Sequence, residues 1–240
     1  MGRVSALKLA ENGADVVVND LDESVAEETA ADAREHGVDA VGIGADVSDG
    51  TEVAAMFEHA AAELDQVDIL VNNAGVGDAG PFMDDAYDDT FDLNLDVHLH
   101  GALNCCREVV DGMAESGYGK IINFTSIHTK NGVGMSPAYD VAKYSLLGLT
   151  KSLALELGRE GIRVNAIAPG WANTRLTEGF SDAVTQQILD NNPLGAFAEP
   201  EEVADAVLFL ASPASDYVNG HELRVDGGQV PIDSWRLDNR

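Results

Sequence analysis

Tyr139 and Lys143 stand four residues apart in a stretch whose apolar spacing predicts a helix, which places both side chains on one face. An ammonium beside a phenol favours the phenolate and lowers a pKa that starts at about 10, which would make Tyr139 an acid/base near neutral pH. Ser126 follows the apolar run Ile121-Ile122-Asn123-Phe124-Thr125, thirteen residues ahead of Tyr139. A hydroxyl at the end of such a strand would point into a crevice and hydrogen-bond a substrate carbonyl or alcohol. Asn72-Asn73-Ala74-Gly75 ends another apolar run, and small residues there let a flat cofactor lie close to the backbone.

Short β-branched runs alternate with helical stretches along the whole chain. Strands are predicted over 14–19, 39–44, 67–71, 120–125, 162–168 and 221–225. Helices are predicted from near Gly2 to Asn12-Gly13, and over 22–36, 49–64, 88–115, 136–158 and 201–211, with a looser segment over 169–200. Strands fed by helices at this spacing imply an α/β fold, a Rossmann-like doubly wound parallel sheet covered on both faces, in a single domain. In such a sheet the ligand crevice lies at the carboxyl ends of the strands. That rule singles out Asp20, Asp46, Asn72 to Gly75, Ser126 and Pro169-Gly170.

Together these residues resemble the short-chain dehydrogenase/reductase family over almost the entire chain. The resemblance is carried by Asp46-Val47, Asn72-Asn73-Ala74-Gly75, Ser126, Tyr139-x-x-x-Lys143, Pro169-Gly170 with Thr174, and Val225-Asp226-Gly227-Gly228. It implies hydride exchange between a nicotinamide cofactor and a secondary alcohol or ketone. It also implies roles: Tyr139 as acid/base, Ser126 positioning the reacting oxygen, and Lys143 binding ribose hydroxyls and lowering the Tyr139 pKa. Asp46 and Val47 would hold the adenine, Asn73, Ala74 and Gly75 would line the cofactor cleft with Pro169 and Gly170, and Thr174 would meet the carboxamide. Asp20, at the end of its strand, accepts hydrogen bonds from a ribose and repels a 2′-phosphate, so NAD is expected over NADP. The alternative is one more acid in an acidic protein. The resemblance also implies that the 88–115 and 136–158 helices pack against their counterparts in a homotetramer; in the tail, Trp235 reads as an interface anchor or as part of an ordinary packed or frayed end.

Two features depart from the family pattern. The family opens with a strand and a Thr-Gly-x-x-x-Gly-x-Gly loop, of which only the last glycine has a match here, Gly2. The missing strand would lie between those at 14–19 and 67–71, and the expectation is that the natural start lies upstream. The second departure is His98, in Val97-His98-Leu99-His100-Gly101, where the family commonly carries an Asn that holds a water. An imidazole can relay protons or sit as a structural histidine. His98 and His100 face different ways on a helix, so no metal site is expected. The segment resembles the (3R)-hydroxyacyl-CoA dehydrogenase branch, as do Val16 to Leu21 and Thr174 to Thr177. Hydroxyacyl thioesters, sugars and cyclic alcohols all stay open as substrates; Lys130, Arg175 and Arg107 are the few cations that could meet a CoA phosphate. A reading from another class is a non-catalytic oligomer partner or nucleotide-binding member. The unmatched loop and His98 favour it; the complete Ser126, Tyr139 and Lys143 set opposes it.

Cys105 and Cys106 are adjacent, too few for a zinc site, and read as small core residues. No apolar run approaches the roughly 20 residues of a membrane span, and no secretory signal opens the chain, so a cytoplasmic enzyme is expected. Forty-two acidic residues against fourteen basic ones leave a net charge of −28. Such a surface repels nucleic acid and anionic membranes and suits a salty cytoplasm, where screening limits self-repulsion. The melting temperature is therefore expected to fall as salt is removed; one indifferent to salt contradicts this reading of the charge.

Overall fold

The structure, a computed structural model, describes residues 1–77, 82–130, 136–174 and 177–229. Arg175, Leu176 and the tail with Trp235 lie outside the described residues. Six strands are present among them: β1 (Val16–Asp20), β2 (Ala40–Gly44), β3 (Ile69–Asn72), β4 (Gly119–Phe124), β5 (Ile162–Pro169) and β6 (Glu222–Val225). The helices are α1 (Gly2–Glu11), α2 (Glu23–Arg34), α3 (Gly50–Glu63), α4 (Tyr87–Leu95), α5 (Gly101–Ser116), α6 (Pro137–Leu157), α7 (Asp182–Asp190) and α8 (Pro200–Ala211). Every strand pairing is parallel, and the strands alternate with helices as expected of a Rossmann-like α/β fold.

The strands form two hydrogen-bonded groups rather than one sheet: β1-β2, and β3-β4-β5-β6. Among the described residues no strand joins β1 to β3. β4 is central to the larger group and is buried along its whole length. Successive residues serve opposite layers: Ile121 packs with Val53, Val109 and Met113, whereas Ile122 packs with Val203, Val207 and Leu210. This two-residue alternation with apolar groups on both sides is why β4 reads as a continuous apolar run. Cys105 and Cys106 lie in the first of these layers, where burial pushes their thiols up to about 12 and about 11, leaving them inert.

Helix–sheet packing is tight where glycine allows it. A Cβ on Gly42 of β2 would lie 2.3 Å from the backbone of Glu27 in α2, so this layer closes only without a side chain there. Lys120, 1% exposed on β4, has its buried nitrogen satisfied by Asp216 at 2.6 Å and the Ser215 hydroxyl at 3.3 Å.

Two expectations are corrected. The helix predicted over 88–115 is interrupted by a π-helical turn, Asp96–His100, which separates α4 from α5. Apolar spacing continues through the turn, so periodicity alone conceals the extra residue. The looser segment over 169–200 contains α7, capped by the Ser181 hydroxyl accepting from the Val184 amide. None of its residues is buried, and without a core stripe the periodic signal is weak. No helix of the described residues is long and apolar enough to cross a membrane.

Candidate active site

The carboxyl ends of the strands bring the predicted chemistry together at β4. Thr125 continues the strand by donating its amide to the Ile167 carbonyl of β5 at 2.8 Å, and its hydroxyl bonds Glu222 of β6 at 2.7 Å. Ser126 then turns the chain out of the sheet into a short 3₁₀ turn, Ile127–Thr129. Its hydroxyl accepts from the His128 amide at 3.3 Å. Helix α6 opens with Ser136 and Pro137 and carries Tyr139 and Lys143 one turn apart on the face toward β4. Lys143 donates to the Phe124 carbonyl at 2.8 Å, and its nitrogen lies 5.5 Å from the centre of the Tyr139 ring. Ser126 hydrogen-bonds the Tyr139 phenol.

A buried polar chain beneath these groups fixes their register. Asn72 at the end of β3 donates to Asn123 of β4 at 2.8 Å, Asn123 donates to Thr150 of α6 at 2.9 Å, and Thr150 donates to the Leu146 carbonyl at 2.8 Å. Asn123 and Thr150 are fully buried, so each lost partner would leave an unsatisfied polar group. The chain ties β3, β4 and α6 together just below Ser126.

Burial dominates the electrostatics. Lys143 is 4% exposed, and loss of water lowers its pKa from 10.5 to about 7. Tyr139 is held above its ordinary value of 10.0, chiefly by burial and further by the Asp140 carboxylate; the Ser126 hydrogen bond pulls the other way. The expected depression of the Tyr139 pKa by Lys143 is thus not found in the protein without ligands. The physical reason is that the same burial that desolvates the phenol also destabilises the ammonium meant to act on it.

His98 sits within the π-helical turn, 2% exposed, with its ring 5.4 Å from that of Tyr139 and nearly perpendicular to it. Its Nε2 bonds the Val76 carbonyl at 3.0 Å; a carbonyl only accepts, so Nε2 carries the proton and Nδ1 is a lone pair. That Nδ1 is buried and unpartnered among the described residues. Burial and the nearby Lys143 drive the His98 pKa down to about 3, so the ring stays neutral. It is placed to accept a hydrogen bond, not to carry a proton. A Cβ on Gly75 would lie 2.4 Å from the His98 ring, so the imidazole requires glycine opposite it. His100 is exposed and pairs with Asp96 at 3.0 Å, facing away as expected.

The candidate cofactor residues lie along the same edge. Asp20 ends β1, exposed, and its carboxylate accepts from the Asp22 amide. Asp46 and Val47 follow β2; Asp46 accepts from the Ser48 amide and hydroxyl, and Asn104 donates to the Val47 carbonyl at 3.1 Å. Asn73 to Gly75 follow β3, and a Cβ on Gly2 would come within 2.6 Å of Asn73, which puts the N-terminus of α1 at this crevice. That terminus has no side-chain cap, leaving backbone donors for an anion. Pro169 ends β5 and Gly170 follows it, where a Cβ would lie 2.8 Å from the Asp226 backbone. Thr174 lines a cavity of about 550 Å³ with Thr177, Phe180, Leu189 and Phe197. Lys143 has three N–H donors and only the Phe124 carbonyl as hydrogen-bond partner among the described residues, which suits a pair of ribose hydroxyls. These features fit a nicotinamide dinucleotide.

Sequence reasoning missed two residues. His128 bonds Asp140 at 2.5 Å, and its ring meets those of Tyr139 at 5.2 Å and Trp171 at 6.5 Å. The signal was available: one residue lies two beyond Ser126, the other directly follows Tyr139.

Residues 1–229 match the family described as enoyl-(acyl carrier protein) reductase. A (2S)-[(R)-hydroxy(phenyl)methyl]succinyl-CoA dehydrogenase subunit, BbsD, of Thauera aromatica is 36% identical over 95% of this chain and 92% of the relative. A cis-4-hydroxycyclohexanecarboxylate dehydrogenase of Sinomonas cyclohexanicum is 37% identical over 97% and 93%. Among solved structures, a gluconate 5-dehydrogenase from Burkholderia cenocepacia J2315, in complex with NADP and tartrate, superposes with a TM-score of 0.89 at 35% identity, covering 94% of this chain and 89% of its own. These relatives are oxidoreductases whose names span a thioester, a cyclic alcohol and a sugar acid.

The buried ammonium makes a stability prediction. Between pH 7 and 10.5 the unfolded chain holds a proton on Lys143 that the folded protein has released, so this group's destabilising effect is full below pH 7 and fades as pH rises. Lys143→Met is expected to stabilise the protein by roughly 1–2 kcal/mol at pH 6, with the gain shrinking toward pH 10. A melting temperature unchanged or lowered at pH 6 contradicts the burial argument.

Proposed function

This chain belongs to the short-chain dehydrogenase/reductase family, and we propose that it oxidises a secondary alcohol, or reduces the matching ketone, with NAD as the preferred cofactor. The observation that carries the reading is the convergence of Ser126, Tyr139 and Lys143 at the end of β4, with Lys143 retaining donors that the described residues do not use.

When bound, the nicotinamide supplies a hydride acceptor, or a hydride donor in the reverse direction. Ser126 holds the reacting oxygen by hydrogen bonding, and the Tyr139 phenolate takes the hydroxyl proton as the carbinol C–H bond is lost. Lys143 binds ribose hydroxyls; those acceptors favour its charged form, and the restored ammonium then stabilises the phenolate. His98 accepts a hydrogen bond at Nδ1 from a water or from Lys143, in the place the family gives to Asn. Because Tyr139 lies above its ordinary pKa, alcohol oxidation is favoured by alkaline pH, whereas ketone reduction uses the phenol as it stands. Asp20 supports NAD: its exposed carboxylate offers acceptors to a ribose and repels a phosphate in the same position. Exposed Val141, Tyr144 and Leu155 on α6 support a homotetramer in which this helix meets its counterpart.

A panel of secondary alcohols with NAD and NADP in high salt tests the proposal. Tyr139→Phe is expected to lower kcat by about 10²–10⁴-fold, and Asp20→Ala to shift preference toward NADP. Full turnover by Tyr139→Phe contradicts the assigned chemistry, and a wild-type preference for NADP contradicts the assigned cofactor.

A further inference from the structure

His128 is not needed for the proton and hydride steps, yet it is held with unusual care beside them. Its Nδ1 lies 2.5 Å from Asp140, both side chains being largely buried at 12% and 14% exposure. A carboxylate only accepts, so Nδ1 carries the proton of this bond, and in the tautomer this fixes Nε2 is the ring's free acceptor. Nε2 has no hydrogen-bond partner among the described residues, and it is not one of the polar atoms sealed from solvent. It therefore faces accessible space. That space adjoins the reacting group: the His128 ring stands edge-on to Tyr139, and the His128 amide bonds the Ser126 hydroxyl. The ring also meets Trp171, which stacks edge-on with Phe180 at 5.4 Å, so that His128, Trp171 and Phe180 form an aromatic wall.

We propose that His128, oriented by Asp140, is a second polar subsite of the substrate pocket, accepting a hydrogen bond from a hydroxyl one or two carbons from the reacting carbon. The substrate class is then a diol or polyol. This rests on the alcohol-oxidoreductase reading and deepens it. An anionic group is disfavoured at this point because the Asp140 carboxylate already compensates any charge on the ring, and the cavity beyond Thr174 adds Glu178 and Glu199. A purely apolar substrate would leave the aimed nitrogen without a partner. The aromatic wall complements this selection, since the C–H face of a polyol packs against rings while its hydroxyls reach the polar tips.

The test compares butane-2,3-diol with butan-2-ol as substrates of the full chain, with NAD and with NADP. His128→Phe keeps a ring against Tyr139 and Trp171 but removes both nitrogens; His128→Gln keeps a hydrogen-bonding tip. The ratio of kcat/KM for diol over mono-ol is expected to favour the diol in the wild type and to fall by about tenfold in His128→Phe, mainly through KM. His128→Gln is expected to retain part of the preference, and His128→Ala replaces the Phe variant if that one does not fold. Binding is read separately from the quench of Trp171 fluorescence in a Trp235→Phe background, where it is the remaining tryptophan. A quench stronger for the diol and dependent on His128, without turnover of either alcohol, supports the subsite and overturns the oxidoreductase reading. A preference and a quench that are unchanged in His128→Phe, or losses equal for both alcohols, overturn the subsite.

Discussion

An ammonium taken out of water at the end of a central strand is the constraint around which this site is organised. Lys143 gives up its hydration for one strong hydrogen bond to the Phe124 carbonyl, and burial leaves its charge poorly supported. An isolated buried charge is among the least favourable features a core can hold. It persists here because β4 is fixed from both faces by apolar layers and from the side by the Asn72–Asn123–Thr150 chain, so neither the carbonyl nor α6 can move aside. The same rigidity holds Ser126 and Tyr139 at the mouth of the crevice. A group that destabilises the fold and would gain partners from a ligand links binding to stability in a direct way.

The aromatic groups around Tyr139 extend this arrangement. Two imidazoles meet the phenol edge-on from different elements, and their chemistry differs. His98 is sealed, neutral and anchored on a backbone carbonyl; His128 is anchored on a carboxylate and keeps one nitrogen toward open space. The first packs so closely that the residue opposite must be Gly75. The pair shows how one side chain can be held by packing from one ring and by a polar anchor behind the other.

Much of this was legible in the sequence because it depends on local spacing. The four-residue separation of Tyr139 and Lys143 sets a common helix face, and the uninterrupted apolar run at 120–125 marks a strand buried on both sides. Strand ends located Ser126, Asn73 and Gly170 for the same reason. What escaped depends on distance in space. The direction of the Tyr139 pKa turns on how deeply both partners are buried, and a ruling based on charge proximity alone gives the opposite sign. The His128–Asp140 pair joins residues on different elements, and the π-helical turn hides inside a hydrophobic rhythm that does not break.

The central claim is that burial, rather than a charged neighbour, sets the resting state of the site. It is tested most directly by following the ε-carbon resonance of Lys143 in the nucleotide-free protein by NMR across pH, with Lys143→Met for assignment. A midpoint near 7, moving upward when NAD is added, is the expected result. A midpoint at the ordinary 10.5, indifferent to nucleotide, contradicts the account.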